Sequence, residues 1–88
     1  MSTKDITDRQ VVAVANYWTW LNRHGLAHDP DALAMLEILS AQPYKVCFRA
    51  YERALHRGYL DYGVSLRTAW PTPKGMCLLE GRGEDTPA

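Results

Sequence analysis

PYKVCFRAYERALHRG, residues 43–58, places a basic residue at every fourth position: Lys45, Arg49, Arg53 and Arg57. Among them Val46, Cys47, Ala50, Tyr51, Ala54 and Leu55 recur at helical spacing, so the segment divides into an apolar and a charged side. It reads as a helix from Pro43 to about Arg57, stopped by Gly58, with Lys45, Phe48, Arg49, Glu52, Arg53 and His56 facing out. Steps of four residues advance about 40° each, so the cations form a gently spiralling stripe about 18 Å long. Such a stripe suits a polyanion. The competing reading is an ordinary solvated helix face, for which Glu52 among the cations speaks.

The charge distribution sharpens the question. The chain has 88 residues, enough for one domain with a small core, and its formal net charge is zero. Neutrality argues against a generic nucleic-acid coat, but the charge is segregated. Residues 43–74 hold Lys45, Arg49, Arg53, Arg57, Arg67 and Lys74 against Glu52 and Asp61, a net of +4. Residues 1–42 carry −2, from Lys4, Arg9 and Arg23 against Asp5, Asp8, Asp29, Asp31 and Glu37. The end carries −2, from Arg82 against Glu80, Glu84 and Asp85. No apolar run approaches the roughly 20 residues of a membrane span, and MSTKDITDRQ lacks the basic start and apolar stretch of a secretory signal. The expectation is a cytoplasmic protein with no membrane partner, whose Cys47 and Cys77 are buried thiols rather than a disulfide.

Upstream of the stripe, Thr7 and Gln10 have capping-box spacing and open a first helix. Val11, Val14, Trp18 and Leu21 give that helix a core side, while Val12, Tyr17 and Trp20 widen its apolar surface beyond one stripe. Such a helix is either central to the fold or part of a subunit interface, with Tyr17 and Trp20 as the homodimer patch. Gly25 is its stop. Asp29-Pro30 opens a second helix, whose buried side is expected to hold Leu33, Leu36, Met35, Ile38 and Leu39. Ser40-Ala41-Gln42 precedes Pro43 and must turn, because the residue before a proline avoids helical geometry.

Downstream, YLDYGVSLRTAWPT is aromatic and branched around a glycine. It reads as a small hairpin with arms near Tyr59–Tyr62 and Arg67–Trp70, which must lean on the helices. Thr72-Pro73 starts a last short helix through Met76, Leu78 and Leu79. The chain is therefore expected to be one domain over 1–80, mainly α with a small β-hairpin, followed by a polar, disordered tail over 81–88.

The order helix, helix, tight turn, helix, hairpin is that of the winged helix-turn-helix domain. RALHRGYLDYGVSLRTAWPTPKGMCLL resembles the end of bacterial winged-helix regulators of the MarR and PadR type. The matching residues are Arg57-Gly58-Tyr59-Leu60 and Thr72-Pro73-Lys74-Gly75 with Leu78-Leu79, within a match over roughly 43–79. The resemblance implies three helices, a two-stranded wing and a short C-terminal helix, with the third helix as the recognition helix of a transcriptional regulator. On that basis Tyr44, Lys45, Phe48 and Arg49 reach base edges of double-stranded DNA, while Arg53, Arg57, Arg67 and Lys74 hold phosphates.

The alternative is a winged-helix protein-interaction module, in which Phe48, Tyr44 and the stripe dock onto an acidic partner protein. Phe48 is the telling residue, since an aromatic within a charged outer face marks a contact unless another element covers it. Trp18, Trp20 and Trp70 are read first as core and edge packing. Neither catalysis nor a cofactor is expected. His24 and His28 flank Gly25 without a Cys-x-x-Cys partner, no nucleophile motif or carboxylate pair is evident, and no glycine-rich phosphate loop follows a strand.

Overall fold

The computed structural model describes residues 6–26 and 31–81. These residues form four α-helices and one two-stranded antiparallel ribbon. Helix α1, Asp8–Arg23, starts at the expected capping box. Thr7 Oγ1 accepts from the Gln10 amide at 3.1 Å, and Gln10 Oε1 accepts from the Thr7 amide at 2.8 Å, satisfying two amides that a helix start would otherwise leave unpaired. The helix ends with Gly25 at φ +70°, where Leu26 N–H bonds Leu21 O and Gly25 N–H bonds Asn22 O in a Schellman pattern.

Helix α2, Ala32–Ser40, is capped by Asp31, whose Oδ1 accepts from the Ala34 amide at 2.8 Å. The expected Asp29-Pro30 start lies outside the described residues. Ala32, Leu33 and Leu36 form the buried stripe of α2, with Met35 packed against its edge. Ile38 and Leu39, expected in the core, are instead 68% and 67% exposed. A nine-residue helix turns only one stripe toward its neighbours, and its apolar surplus stays outside. The chain leaves α2 through Ala41 at φ +56°, a left-handed position taken without glycine, and Pro43 then caps helix α3, Tyr44–His56.

Helix α3 buries Val46, Cys47, Ala50, Tyr51 and Ala54, as its spacing requires; Leu55 is half-buried. It closes on Gly58 at φ +82°, with Tyr59 N–H to Ala54 O and Gly58 N–H to Leu55 O. The hairpin differs from expectation in its second arm. Strand β1, Leu60–Asp61, pairs with β2, Trp70–Pro71, in the register Leu60 to Pro71 and Asp61 to Trp70. Leu66–Thr68 is a 3-10 turn, not strand. Leu66 and Ala69 both point into the core three residues apart, a spacing that suits three residues per turn and not the two-residue period of a strand. Pro71 has no amide to extend the ladder.

Helix α4, Pro73–Leu79, begins at Thr72, whose Oγ1 accepts from the Gly75 amide at 3.1 Å, so the cap-then-proline pattern forms as expected. Helix α1 is central: it packs against α2, α3, α4 and β2. The core joins Ile6, Val11, Val12 and Ala15 to Leu33 and Leu36, to Cys47 and Tyr51, and to Leu60, Leu66 and Leu78. Burying an aliphatic side chain contributes about 1.5–3 kcal/mol, so this cluster is the main stabilising contribution of the fold. No described helix is long and apolar enough to cross a membrane.

Candidate functional site

The four cations along α3 and its C-cap do not form one solvated stripe. They split at the middle of the helix. Lys45 and Arg49, in its N-terminal half, are exposed beside Tyr44, which is 42% exposed. Arg53, in its last turn, and Arg57, at its C-cap, turn back onto the protein. Arg53 Nε lies 2.8 Å from Asp8 Oδ1, Arg57 Nη1 lies 2.5 Å from Asp8 Oδ2, and Arg53 Nη2 also donates to Ile6 O. Asp8 is only 2% exposed, a buried carboxylate in the first turn of α1 satisfied by two guanidinium groups. The expectation of a phosphate-holding role for Arg53 and Arg57 meets this clamp, which engages both with the chain's own acid.

The two cations expected beyond α3 are engaged as well. Arg67 Nε donates to Asp31 Oδ2 at 2.7 Å, so one carboxylate caps α2 with one oxygen and holds the 3-10 turn with the other. The hydrogen bond and charge of Asp31 push the Arg67 guanidinium pKa upward, and Arg67 Cζ lies 5.6 Å from the Tyr44 ring centroid. Lys74 Nζ donates to Arg57 O at 2.7 Å, supplying a partner to a carbonyl at the end of α3, and sits 5.0 Å from the Tyr59 ring centroid.

Phe48, expected to face out, is half-buried against the core and stacks on Tyr44 with centroids 5.8 Å apart. Its position on α3 is at the boundary between the two sides, so the core covers one face while Tyr44 covers another. What remains open is the start of α3. Pro43, Tyr44, Lys45, Val46 and Arg49 line a shallow groove of about 640 Å³. Pro43 caps α3 without a side-chain hydrogen bond; the Val46 amide, equivalent to the one that Thr7, Asp31 and Thr72 serve in their helices, bonds Pro43 O at 3.0 Å instead. The positive end of the helix dipole adds to the charges of Lys45 and Arg49 there.

Sequence reasoning placed Tyr44, Lys45, Phe48 and Arg49 on one part of the surface, and the structure brings them together. It missed Pro43 and Val46 as groove walls, for which the apolar period gave no signal. It also missed Asp8 and Asp31 as the acids that occupy Arg53, Arg57 and Arg67; their partners lie 45, 49 and 36 residues away. Among the described residues no group of His, Cys, Asp and Glu side chains is arranged to hold a metal ion. Comparison with protein-family models, curated proteins and solved structures finds no match for the chain.

Proposed function

We propose that the chain is a winged-helix module that binds double-stranded DNA through the N-terminal half of α3. Tyr44, Lys45 and Arg49 enter the major groove, and the turn carrying Arg67 lies against the backbone. The observation that carries this reading is that the exposed Lys45 and Arg49 lie beside an open groove at the start of α3, while the C-terminal end of the helix is committed to the Asp8 clamp. The helix order and short ribbon agree with it. Arg53, Arg57, Arg67 and Lys74 are engaged within the protein, which leaves Lys45 and Arg49 as the main phosphate partners, and affinity is set by about two to four released counterions.

The test is duplex binding at two or more salt concentrations, with light scattering for mass. Binding is expected to weaken with salt at a slope of about −2 to −4 in log–log form, and Lys45→Ala with Arg49→Ala to reduce that slope by about 2. Absence of binding at low salt overturns the reading. A second reading, docking onto an acidic protein, is favoured by the partly exposed Tyr44–Phe48 stack. It predicts that an acidic polypeptide binds where duplex DNA does not, and that Tyr44→Ala abolishes that binding.

A further inference from the structure

Helix α1 carries two seams. One, through Val11, Val14, Ala15 and Trp18, packs into the protein's own core. The other runs through Gln10, Ala13, Tyr17, Trp20 and His24, spaced alternately three and four residues apart, and all five are exposed. Tyr17 and Trp20 are 54% and 51% exposed. The seam contains no carboxylate, lysine or arginine. Apolar and neutral residues at alternating three- and four-residue steps are the pattern by which one helix packs along another. No described element lies over it.

The seam has a receptacle at one end. Gln10, Ala13 and Val14 of α1, with Leu36, Leu39 and Ser40 of α2, line an open groove of about 190 Å³. An apolar cavity of roughly 150 Å³ admits a benzene ring, so this groove has room for an aromatic side chain. Leu39 and the neighbouring Ile38 extend the apolar surface across α2.

We propose that this face is closed by a second copy of the chain, with α1 packed antiparallel on the partner's α1 about a two-fold axis near Tyr17. That axis sets Ala13 opposite the partner's Trp20, so the smallest residue of the seam faces the largest, and the indole enters the groove beside Leu39. Gln10 then meets the partner's His24. A two-fold arrangement is self-complementary, which a neutral seam permits because like charges never meet along it. The exposed fractions of Tyr17, Trp20, Ile38 and Leu39 come to on the order of 500 Å² per protomer, hence about 1,000 Å² for the pair, the lower edge of stable interfaces. The dimer is therefore weak, with dissociation in the micromolar range, on the order of 1–100 µM. The interface stands apart from α3 and does not rest on the DNA reading.

Sedimentation of the full chain over about 1–500 µM tests it. The mass is expected to rise from monomer toward dimer, while Ala13→Glu and Tyr17→Lys, both exposed positions, stay monomeric with unchanged helical circular dichroism. Trp fluorescence should shift to shorter wavelength as concentration rises, and Trp20→Phe should remove that shift. A wild-type chain that stays monomeric throughout overturns the proposal. A dimer that survives both charge insertions, or whose fluorescence shift persists in Trp20→Phe, assigns the contact to another face and overturns it equally.

Discussion

Arg53 Nε rests 2.8 Å from Asp8 Oδ1 across 45 residues of sequence, and this pair ties the first turn of α1 to the last turn of α3. Asp8 is almost completely buried, while the Arg53 and Arg57 side chains retain 15% and 34% exposure, so the acid depends on its partners more than they depend on it. Removing one member of a buried pair leaves the other uncompensated, at about 3–5 kcal/mol when both are fully enclosed. Asp8→Ala is expected to cost about 2–4 kcal/mol, because two arginines lose their acid but recover some water. Arg57→Ala should cost about 1 kcal/mol, since Arg53 still serves Asp8. Urea unfolding of the three proteins measures both values, and equal losses would contradict the asymmetry.

Asp31 offers a second asymmetry. Its two oxygens do separate tasks, one capping α2 and the other pairing with Arg67. The pair is solvent-accessible, with the arginine side chain 45% exposed, so the interaction contributes at most about 1 kcal/mol and is screened by salt. Loss of the cap adds about 1 kcal/mol. Asp31→Ala should therefore destabilise more than Arg67→Ala, and the difference should persist in 1 M salt, where the ion pair is screened and the cap is not. A difference that vanishes in salt would mean the cap contributes nothing.

What was legible in the sequence was local. Thr7 with Gln10, Gly25, Gly58 and Thr72 with Pro73 punctuate helices through contacts a few residues apart, and each does so in the structure. The apolar period of α3 likewise located Cys47, Ala50, Tyr51 and Ala54 inside. What was hidden depends on long-range pairing. A cation on an outer face reads the same whether it meets water or a distant acid, so the period could not reveal that Arg53 and Arg57 fold back onto Asp8. Arg67 and Thr68 were misread as strand because their branched and aromatic neighbours have strand propensity, whereas packing of Leu66 and Ala69 on the core selected the tighter turn. Ile38 and Leu39 look like core by composition, and only the positions of α1 and α3 exclude them.

Gly75 is fixed by a close approach rather than by an unusual backbone angle. A Cβ placed there would lie 2.2 Å from Tyr59 O, and the obstacle is backbone that is itself bonded to the Thr72 amide at 3.0 Å. Helix α4 therefore sits on the turn after α3 only because this position has no side chain. Gly75→Ala normally favours a helix by about 1 kcal/mol, yet here the clash must push α4 away from Tyr59 and cost about 1–3 kcal/mol. Thermal unfolding is expected to show a lowered midpoint for Gly75→Ala. A raised midpoint would mean that α4 is not seated against Tyr59.

Alkaline pH probes the centre of the core. The Tyr51 hydroxyl is fully buried and donates to Ala32 O at 2.9 Å; burial, then the charge of Asp31 and the proximity of Cys47, push its pKa far above the usual tyrosine range. Burial also pushes the Cys47 thiol up, against an opposing hydrogen bond with Ser40 and with Glu37 adding to the rise. Both groups stay protonated in the folded chain at pH values where the unfolded chain releases its protons, near 8.5 for cysteine and 10 for tyrosine. Above those values the unfolded state binds fewer protons, so stability is complete below about pH 8 and falls as pH rises. Each group contributes a slope of up to about 1.4 kcal/mol per pH unit. Urea midpoints from pH 7 to 10.5 should decline from about pH 8.5 and more steeply above 10. Tyr51→Phe, although less stable at pH 7 by about 1 kcal/mol through the lost hydrogen bond, should lack the steeper upper branch. A Tyr51→Phe profile parallel to wild type above pH 10 would show that this phenol ionises as readily in the folded chain as in the unfolded one.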